Sequence, residues 1–150
     1  YDWEAGHIAV SYTILAWSND QDTLPGTPRA ADLLPGIYRA SDRLEFKAGS
    51  YGGYNEWRDR LARLVGWSCD NDAFHAEPPP ADTPRAAFFE LINFADNEGV
   101  IGPAVAAKLA KDFADWMQQA AREPSWFLDS YLKWKSAFQM AADGGLVDFH

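Results

Sequence analysis

The sequence predicts a mainly helical α+β domain of about four helices with a small β element near the N-terminus. Apolar residues recur at helical spacing through the second half of the chain, while β-branched and aromatic residues cluster near its start. Hydrophobic residues make up 47% of the 150 residues, which is ample for one core. We therefore expect a single domain over residues 1–150.

The β element is predicted from two short stretches. Residues 7–17, HIAVSYTILAW, are rich in residues that favour strands. Residues 18–36 contain three Pro and two Gly and predict a loop. Leu44 and Phe46 then alternate with Glu45 and Lys47, which is the pattern of a short half-buried strand.

The first helix is predicted after the glycine turn at residues 49–53. Ser50 or Asn55 is suited to cap its N-terminus, and Gly66 is suited to end it. The spacing of its large apolar residues gives one buried stripe. That stripe consists of Tyr54, Trp57, Leu61, Leu64 and Val65.

Three further helices are predicted over residues 85–96, 103–122 and 125–143, with Pro103 in the first turn of the second. The short connections between them predict antiparallel neighbours. Trp126, Tyr131 and Trp134 in the last helix cannot share one face at 100° per residue. Some of these rings are therefore expected to pack on the N-terminal strand or to form a homodimer interface.

Charge and cysteine content restrict the function classes. The 22 acidic and 13 basic residues give a net charge of −9, which disfavours nucleic acid and anionic membrane surfaces and favours a cationic protein as partner. One cysteine, Cys69, excludes an intrachain disulfide, so the chain is expected to be cytoplasmic. The sequence contains no run of about 20 apolar residues, so we predict no membrane span.

Residues 93–102, NFADNEGVIG, are the first candidate site. Asn97 and Gly99 tolerate the left-handed conformation that ends a helix, so the stretch is readily explained as a turn. Asp96 and Glu98, however, would oppose the helix dipole there, which favours a role in binding. Two further interpretations stay open. One is a contact with a ligand or partner that includes Asn93, and the other is a metal site built from Asp96 and Glu98 with Glu90 or Asn93.

Residues 49–58, GSYGGYNEWR, are the second candidate site. Tyr54 and Trp57 lie beside Asn55 and Arg58, a mixture that suits a planar or sugar-like ligand or a protein partner. The alternative is a strand-to-helix turn with Trp57 in the core. The stretch matches no phosphate-binding loop.

Catalytic and cofactor motifs do not emerge from the sequence. The three histidines show no metal-ligand spacing, and no GxSxG is present. We therefore predict no cofactor and no metal, and no catalytic residue is assigned.

Three stretches resemble a family of small bacterial and phage-borne proteins without an assigned activity. They are FKAGSYGGYNEWRDRLA, FFELINFADNEGVIGPAVAAKLAKDF and KSAFQMAADGGLVDFH, and the resemblance covers roughly residues 44–150. Residues 1–40 lie outside the resemblance and are a candidate peripheral extension. Ala95 and Asn97 stand where the family pattern has Ser and Cys, which argues against a thiol-based role. The resemblance implies a compact cytoplasmic domain and adds His150 to the candidate binding residues.

The leading functional hypothesis is a non-enzymatic acidic protein that binds a cationic partner, in the manner of an immunity protein or an antitoxin, or serves as an accessory protein. The alternative is a small metal-dependent hydrolase that uses the carboxylates of Glu90, Asp96 and Glu98 with Arg58 or His150 nearby.

Overall fold

The computed structural model describes residues 4–11, 43–67, 73–75, 86–94, 99–143 and 145–149. These residues form a mainly helical α+β fold, as the sequence predicts. The strands are β1 (Glu4–Ser11), β2 (Arg43–Ser50), β3 (Gly99–Ile101) and β4 (Leu146–Phe149). The helices are α1 (Tyr51–Leu64), α2 (Phe89–Ile92), α3 (Pro103–Asp115), α4 (Met117–Ala120) and α5 (Ser125–Ala142), and a 3-10 turn spans Ala73–His75.

The four strands form one antiparallel sheet in the order β2-β1-β4-β3. Ile8 of β1 lies opposite Phe46 of β2 on one side and Phe149 of β4 on the other. Val100 of β3 pairs with Asp148 of β4. The C-terminal residues and part of the NFADNEGVIG stretch thus add two strands to the sheet. The sheet is larger than the one or two strands that the sequence predicts.

The N-terminal strand occupies an interior position of this sheet. Residues 4–11, which the sequence placed in a peripheral extension, pair with β2 and with β4. The predicted strand over residues 7–17 is confirmed as far as Ser11, and residues 12–17 lie outside the described residues. The predicted strand around Leu44–Lys47 is confirmed, with Leu44 and Phe46 half-buried and Glu45 and Lys47 exposed.

Helix α1 is bounded by the residues that the sequence indicates. The Ser50 hydroxyl accepts a hydrogen bond from the Gly53 N–H at 2.9 Å, which caps the N-terminus. At the other end Gly66 has a φ of +95°. The Gly66 N–H donates to the Arg63 carbonyl, and the Trp67 N–H donates to the Ala62 carbonyl. These two hydrogen bonds form a Schellman motif.

The predicted helix over residues 85–96 is wrong in extent, because α2 covers only Phe89–Ile92. Phe88 adopts a left-handed conformation with a φ of +59°, which cannot continue a helix. Its N–H donates to the Asp112 carboxylate at 2.9 Å, and its buried ring meets Phe113 edge-on at 4.7 Å. These tertiary contacts offset the local strain and outweigh helix propensity.

The predicted helix over residues 103–122 is divided into α3 and α4 at Trp116, whose ψ is 10°. Pro103 is the first helical residue, as predicted. Helix α3 packs on α5, and α5 also contacts β1, β2 and β4. No helix in the described part of the chain is long and apolar enough to cross a membrane.

The core is dominated by aromatic rings centred on Trp134 of α5. Its indole is fully buried and stacks on Trp57 at 5.9 Å, on Phe138 at 5.8 Å and on Phe149 at 5.5 Å. Because these rings come from α1, α5 and β4, one cluster ties the helices to the sheet.

Candidate functional site

Arg58 is the most unusual residue of the second candidate site, because its charged side chain is only 3% exposed. Its guanidinium lies 5.0 Å from the Tyr54 ring centre and 4.9 Å from that of Phe74. It donates to the Phe94 carbonyl at 2.6 Å and to the Asn55 amide oxygen. Among the described residues no carboxylate lies within ion-pair distance, so ring faces and carbonyl oxygens stabilise the cation.

Tyr54 and Trp57 lie in the core. They are 1% and 2% exposed, and their rings stack at 6.0 Å. The Trp57 indole N–H donates to the Phe127 carbonyl at 3.2 Å, which joins α1 to α5. Both residues therefore belong to the aromatic cluster rather than to an open pocket.

Glu90 takes part in an ion-pair network between α2 and α3. Its carboxylate lies 2.9 Å from the Lys108 ammonium, which also pairs with Asp112 at 2.7 Å and donates to the Ala86 carbonyl at 2.9 Å. Burial raises the pKa of Asp112 above its ordinary value, although Lys108 and the Phe88 N–H oppose this shift. The network holds the segment before α2 against α3.

The first candidate site is only partly described. Asn93 ends α2, its side chain is half-buried, and its N–H bonds to the Phe89 carbonyl. Asp96, Glu98 and His150 lie outside the described residues. Within the part of the chain that the structure describes, no group of three or more His, Cys, Asp or Glu residues is arranged to hold a metal ion.

The structure brings the two candidate stretches together at one contact. The bond from Arg58 to the Phe94 carbonyl places α1 beside the start of the NFADNEGVIG stretch. Glu90 does not join this contact through its carboxylate, which is paired with Lys108.

Charge is distributed unevenly between the described residues and the rest of the chain. The described residues contain 11 acidic and 10 basic residues, a net charge of −1. The other residues contain 11 acidic and 3 basic residues, a net charge of −8. Most of the net negative charge therefore lies at positions outside the described residues.

A groove of about 390 Å³ lies between β2 and α5, and we call it the β2–α5 groove. It is lined by Leu44, Glu45, Phe46, Leu132, Lys133 and Ser136. Leu132 is 42% exposed, and Trp126 of the same helix is 45% exposed. Trp126 lies two turns before Lys133 and therefore on the same side of α5.

Sequence reasoning did not assign this groove. Leu132 is one of the apolar residues of the last helix, and it lies about 200° around the helix from Trp134. Because Trp134 is fully buried, Leu132 faces outward. The helical angle was therefore an available signal, but the position of β2 beside α5 was not.

No family model, no curated protein and no solved structure matches this chain. The resemblance to small bacterial and phage-borne proteins therefore stays a prediction.

Proposed function

We propose that this chain is a non-enzymatic cytoplasmic protein that binds a cationic protein partner. The net charge of −9 is the observation that carries the proposal. An acidic chain attracts a basic partner and steers their encounter, and residues outside the described ranges contribute −8 of this charge. An immunity-like or antitoxin-like protein that neutralises a basic toxin is the concrete version.

The state of the described candidate residues argues against the hydrolase alternative. The Arg58 guanidinium donates hydrogen bonds to Asn55 and to the Phe94 carbonyl, and the Glu90 carboxylate forms an ion pair with Lys108. A general base or an anion clamp needs to reach a substrate, whereas these groups are engaged inside the fold. Tyr54 and Trp57 likewise contribute to the core.

The first test is the salt dependence of association with purified small basic proteins of pI above about 9. The full chain is immobilised, and the dissociation constant of each 1:1 complex is measured at about 50 and about 300 mM NaCl. We expect affinity to weaken about tenfold or more, because salt screens exposed charges. An affinity that is the same at both salt concentrations, or a failure to bind any basic protein, contradicts the proposal.

The second test locates the attraction along the chain. Three acidic pairs lie outside the described residues: Asp20 with Asp22, Asp70 with Asp72, and Asp96 with Glu98. Each pair is replaced by the corresponding amides, and at least one replacement should weaken binding several-fold.

The matched control for this test is Glu56→Gln/Asp143→Asn. It changes the net charge by the same amount at two exposed positions of the described framework. If the control and all three pairs weaken binding equally, the affinity depends only on the total charge. That result contradicts a binding site formed by a particular acidic segment.

A further inference from the structure

The outward side of α5 carries two large apolar side chains that are open to solvent. Trp126 is 45% exposed and Leu132 is 42% exposed, and among the described residues no other large apolar side chain is as exposed. The two residues lie about 9 Å apart along the helix axis. Exposed apolar residues that occur singly are ordinary, whereas two on one helix beside an apolar groove are typical of an interaction surface.

Asp129 lies between these two side chains on the surface of the helix. At 100° per residue it is about 60° around the helix from each of them. Asp129 is exposed, and within the described part of the chain its carboxylate takes part in no ion pair. Trp126, Asp129 and Leu132 thus form one surface, which we call the α5 patch.

The Trp126–Asp129 pair has the chemistry of a site for an arginine side chain. Residues three apart on a helix are neighbours, with Cβ atoms about 5–6 Å apart. An indole face attracts a guanidinium, and a carboxylate accepts two parallel N–H bonds from the same planar group. Among the described residues the Trp126 ring meets one other ring, that of Phe127, edge-on at 6.1 Å. Its 45% exposure leaves surface on which a cation can stack while it pairs with Asp129.

Leu132 connects this pair to the β2–α5 groove. It lines the groove together with Leu44 and Phe46, so an apolar side chain that enters the groove buries surface on all three. The groove, with a volume of about 390 Å³, has room for one large apolar side chain.

We propose that the α5 patch is the docking surface for the cationic partner, with an arginine of the partner on Trp126 and Asp129 and an apolar side chain of the partner beside Leu132. This inference rests on the proposed function and adds short-range contacts to it. Net charge accelerates the encounter of two proteins, whereas a few aromatic and arginine contacts supply most of the binding energy. The patch therefore selects, among basic proteins, those that present an arginine beside an apolar residue.

Lys133 supplies a prediction of opposite sign. It is exposed, lines the β2–α5 groove and lies one turn after Asp129. Its ammonium repels an arginine bound at Asp129. Removal of the Lys133 charge should therefore tighten binding, while removal of the Asp129 charge weakens it.

The first test is an NMR titration of the ¹⁵N-labelled full chain with the capped peptide Arg-Ala-Ala-Leu at about 1–20 mM, the range of weak affinities. The Trp126 indole N–H signal, identified by its absence in Trp126→Phe, should shift saturably. Asp129→Asn should raise the dissociation constant about threefold, and Lys133→Met should lower it about twofold. The matched control is Asp143→Asn, which removes the same charge at an exposed position about 21 Å further along α5 and should leave the constant unchanged.

The capped peptide Glu-Ala-Ala-Leu is the control for the charge of the ligand. If it shifts the Trp126 signal with the same dissociation constant as the arginine peptide, the patch does not select a cation and the proposal is overturned. An absence of saturable shifts with the arginine peptide, or equal weakening by Asp143→Asn and Asp129→Asn, overturns it as well.

The second test separates the patch from the proposed function. Trp126→Ala and Asp129→Asn are measured against the basic proteins of the salt test, with circular dichroism to verify that each variant is folded. Salt-sensitive binding that neither variant weakens retains the proposed function and overturns the α5 patch as its docking surface. Peptide binding at the patch with no binding of any basic protein supports the arginine site and contradicts the proposed function.

Discussion

The guanidinium of Arg58 donates a 2.6 Å hydrogen bond to the Phe94 carbonyl, and this bond joins α1 to the segment before β3. A buried arginine is tolerated here because two aromatic rings and two oxygen acceptors surround it. The residue that looked most like a ligand-binding cation is thus a structural connector between two distant parts of the chain.

Arg58→Met should lower the free energy of unfolding by about 2–4 kcal/mol, measured by urea denaturation. The variant keeps the aliphatic bulk but leaves the buried Phe94 carbonyl without its donor. Arg58→Lys should also destabilise the fold, because one ammonium group cannot reproduce the several N–H donors of the planar guanidinium. Arg122→Met, at an exposed position between α4 and α5, is the control and should cost under about 0.5 kcal/mol. Equal effects at the two positions would contradict the connector role of Arg58.

Two glycine-to-alanine changes in or beside α1 should change the free energy of unfolding in opposite directions. Gly66 has a φ of +95°, so Gly66→Ala should destabilise by about 1–2 kcal/mol. Gly52 lies in the first turn of the helix with open space around its Cα, so Gly52→Ala should stabilise by about 0.5 kcal/mol. Unfolding midpoints in urea measure both, and a stabilising Gly66→Ala would refute the Schellman motif.

Tyr131→Phe should lower the free energy of unfolding by about 1 kcal/mol. The Tyr131 hydroxyl donates to the Phe113 carbonyl at 2.6 Å, in the last turn of α3 where helical acceptors lack helical donors. Burial raises the pKa of Tyr131 well above its ordinary value. In an alkaline absorbance titration, the variant should therefore lose a tyrosine that ionises well above the ordinary pKa of this side chain. If the variant instead loses a tyrosine that ionises at the ordinary pKa, the result would contradict the burial of Tyr131.

The stability difference between wild type and Asp112→Asn should depend on pH. Burial raises the pKa of Asp112 in the folded state, so its contribution is full below the unfolded pKa, near 3.8, and is lost as pH rises through the folded value. The variant cannot ionise at this position, so its free energy of unfolding should rise relative to that of wild type as the pH rises from below 3.8 through the folded-state pKa of Asp112. Urea denaturation across this range measures the change.

The control for this pH dependence is Gln118→Ala at an exposed position of α4, which removes no titratable group. Its difference from wild type should vary less over the same range. A difference for Asp112→Asn that is flat, or that moves in favour of wild type as pH rises, would show that burial does not control this carboxylate.

The hydrolase alternative is tested by thermal unfolding with divalent metals and with chelator. Under the proposed function, the midpoint of wild type and that of Asp96→Asn/Glu98→Gln should respond alike to Mg²⁺, Mn²⁺, Ca²⁺ and Zn²⁺. A metal that binds only the folded state raises its midpoint. A rise specific to one metal in wild type and absent in the double variant would favour the metal-dependent hydrolase.

Local physics determined much of this fold from the sequence alone. The cap at Ser50, the glycine end at Gly66 and the alternation of Leu44 and Phe46 are set by nearest neighbours along the chain, so the elements they bound were predictable. The buried stripe of α1 followed from helical spacing in the same way. The net charge, which carries the proposed function, is likewise a property of composition.

Only the tertiary structure decided which residues meet across long sequence separations. The left-handed Phe88 that shortens α2 depends on Asp112, 24 residues later, and residues 99–101 become a strand because β4 lies beside them. The burial of Arg58 and the β2–α5 groove likewise depend on elements that no local pattern places together. The physical reason is that helix and strand propensities are worth a few tenths of a kcal/mol per residue, while a buried ring or hydrogen bond is worth about 1 kcal/mol or more and wins where they conflict.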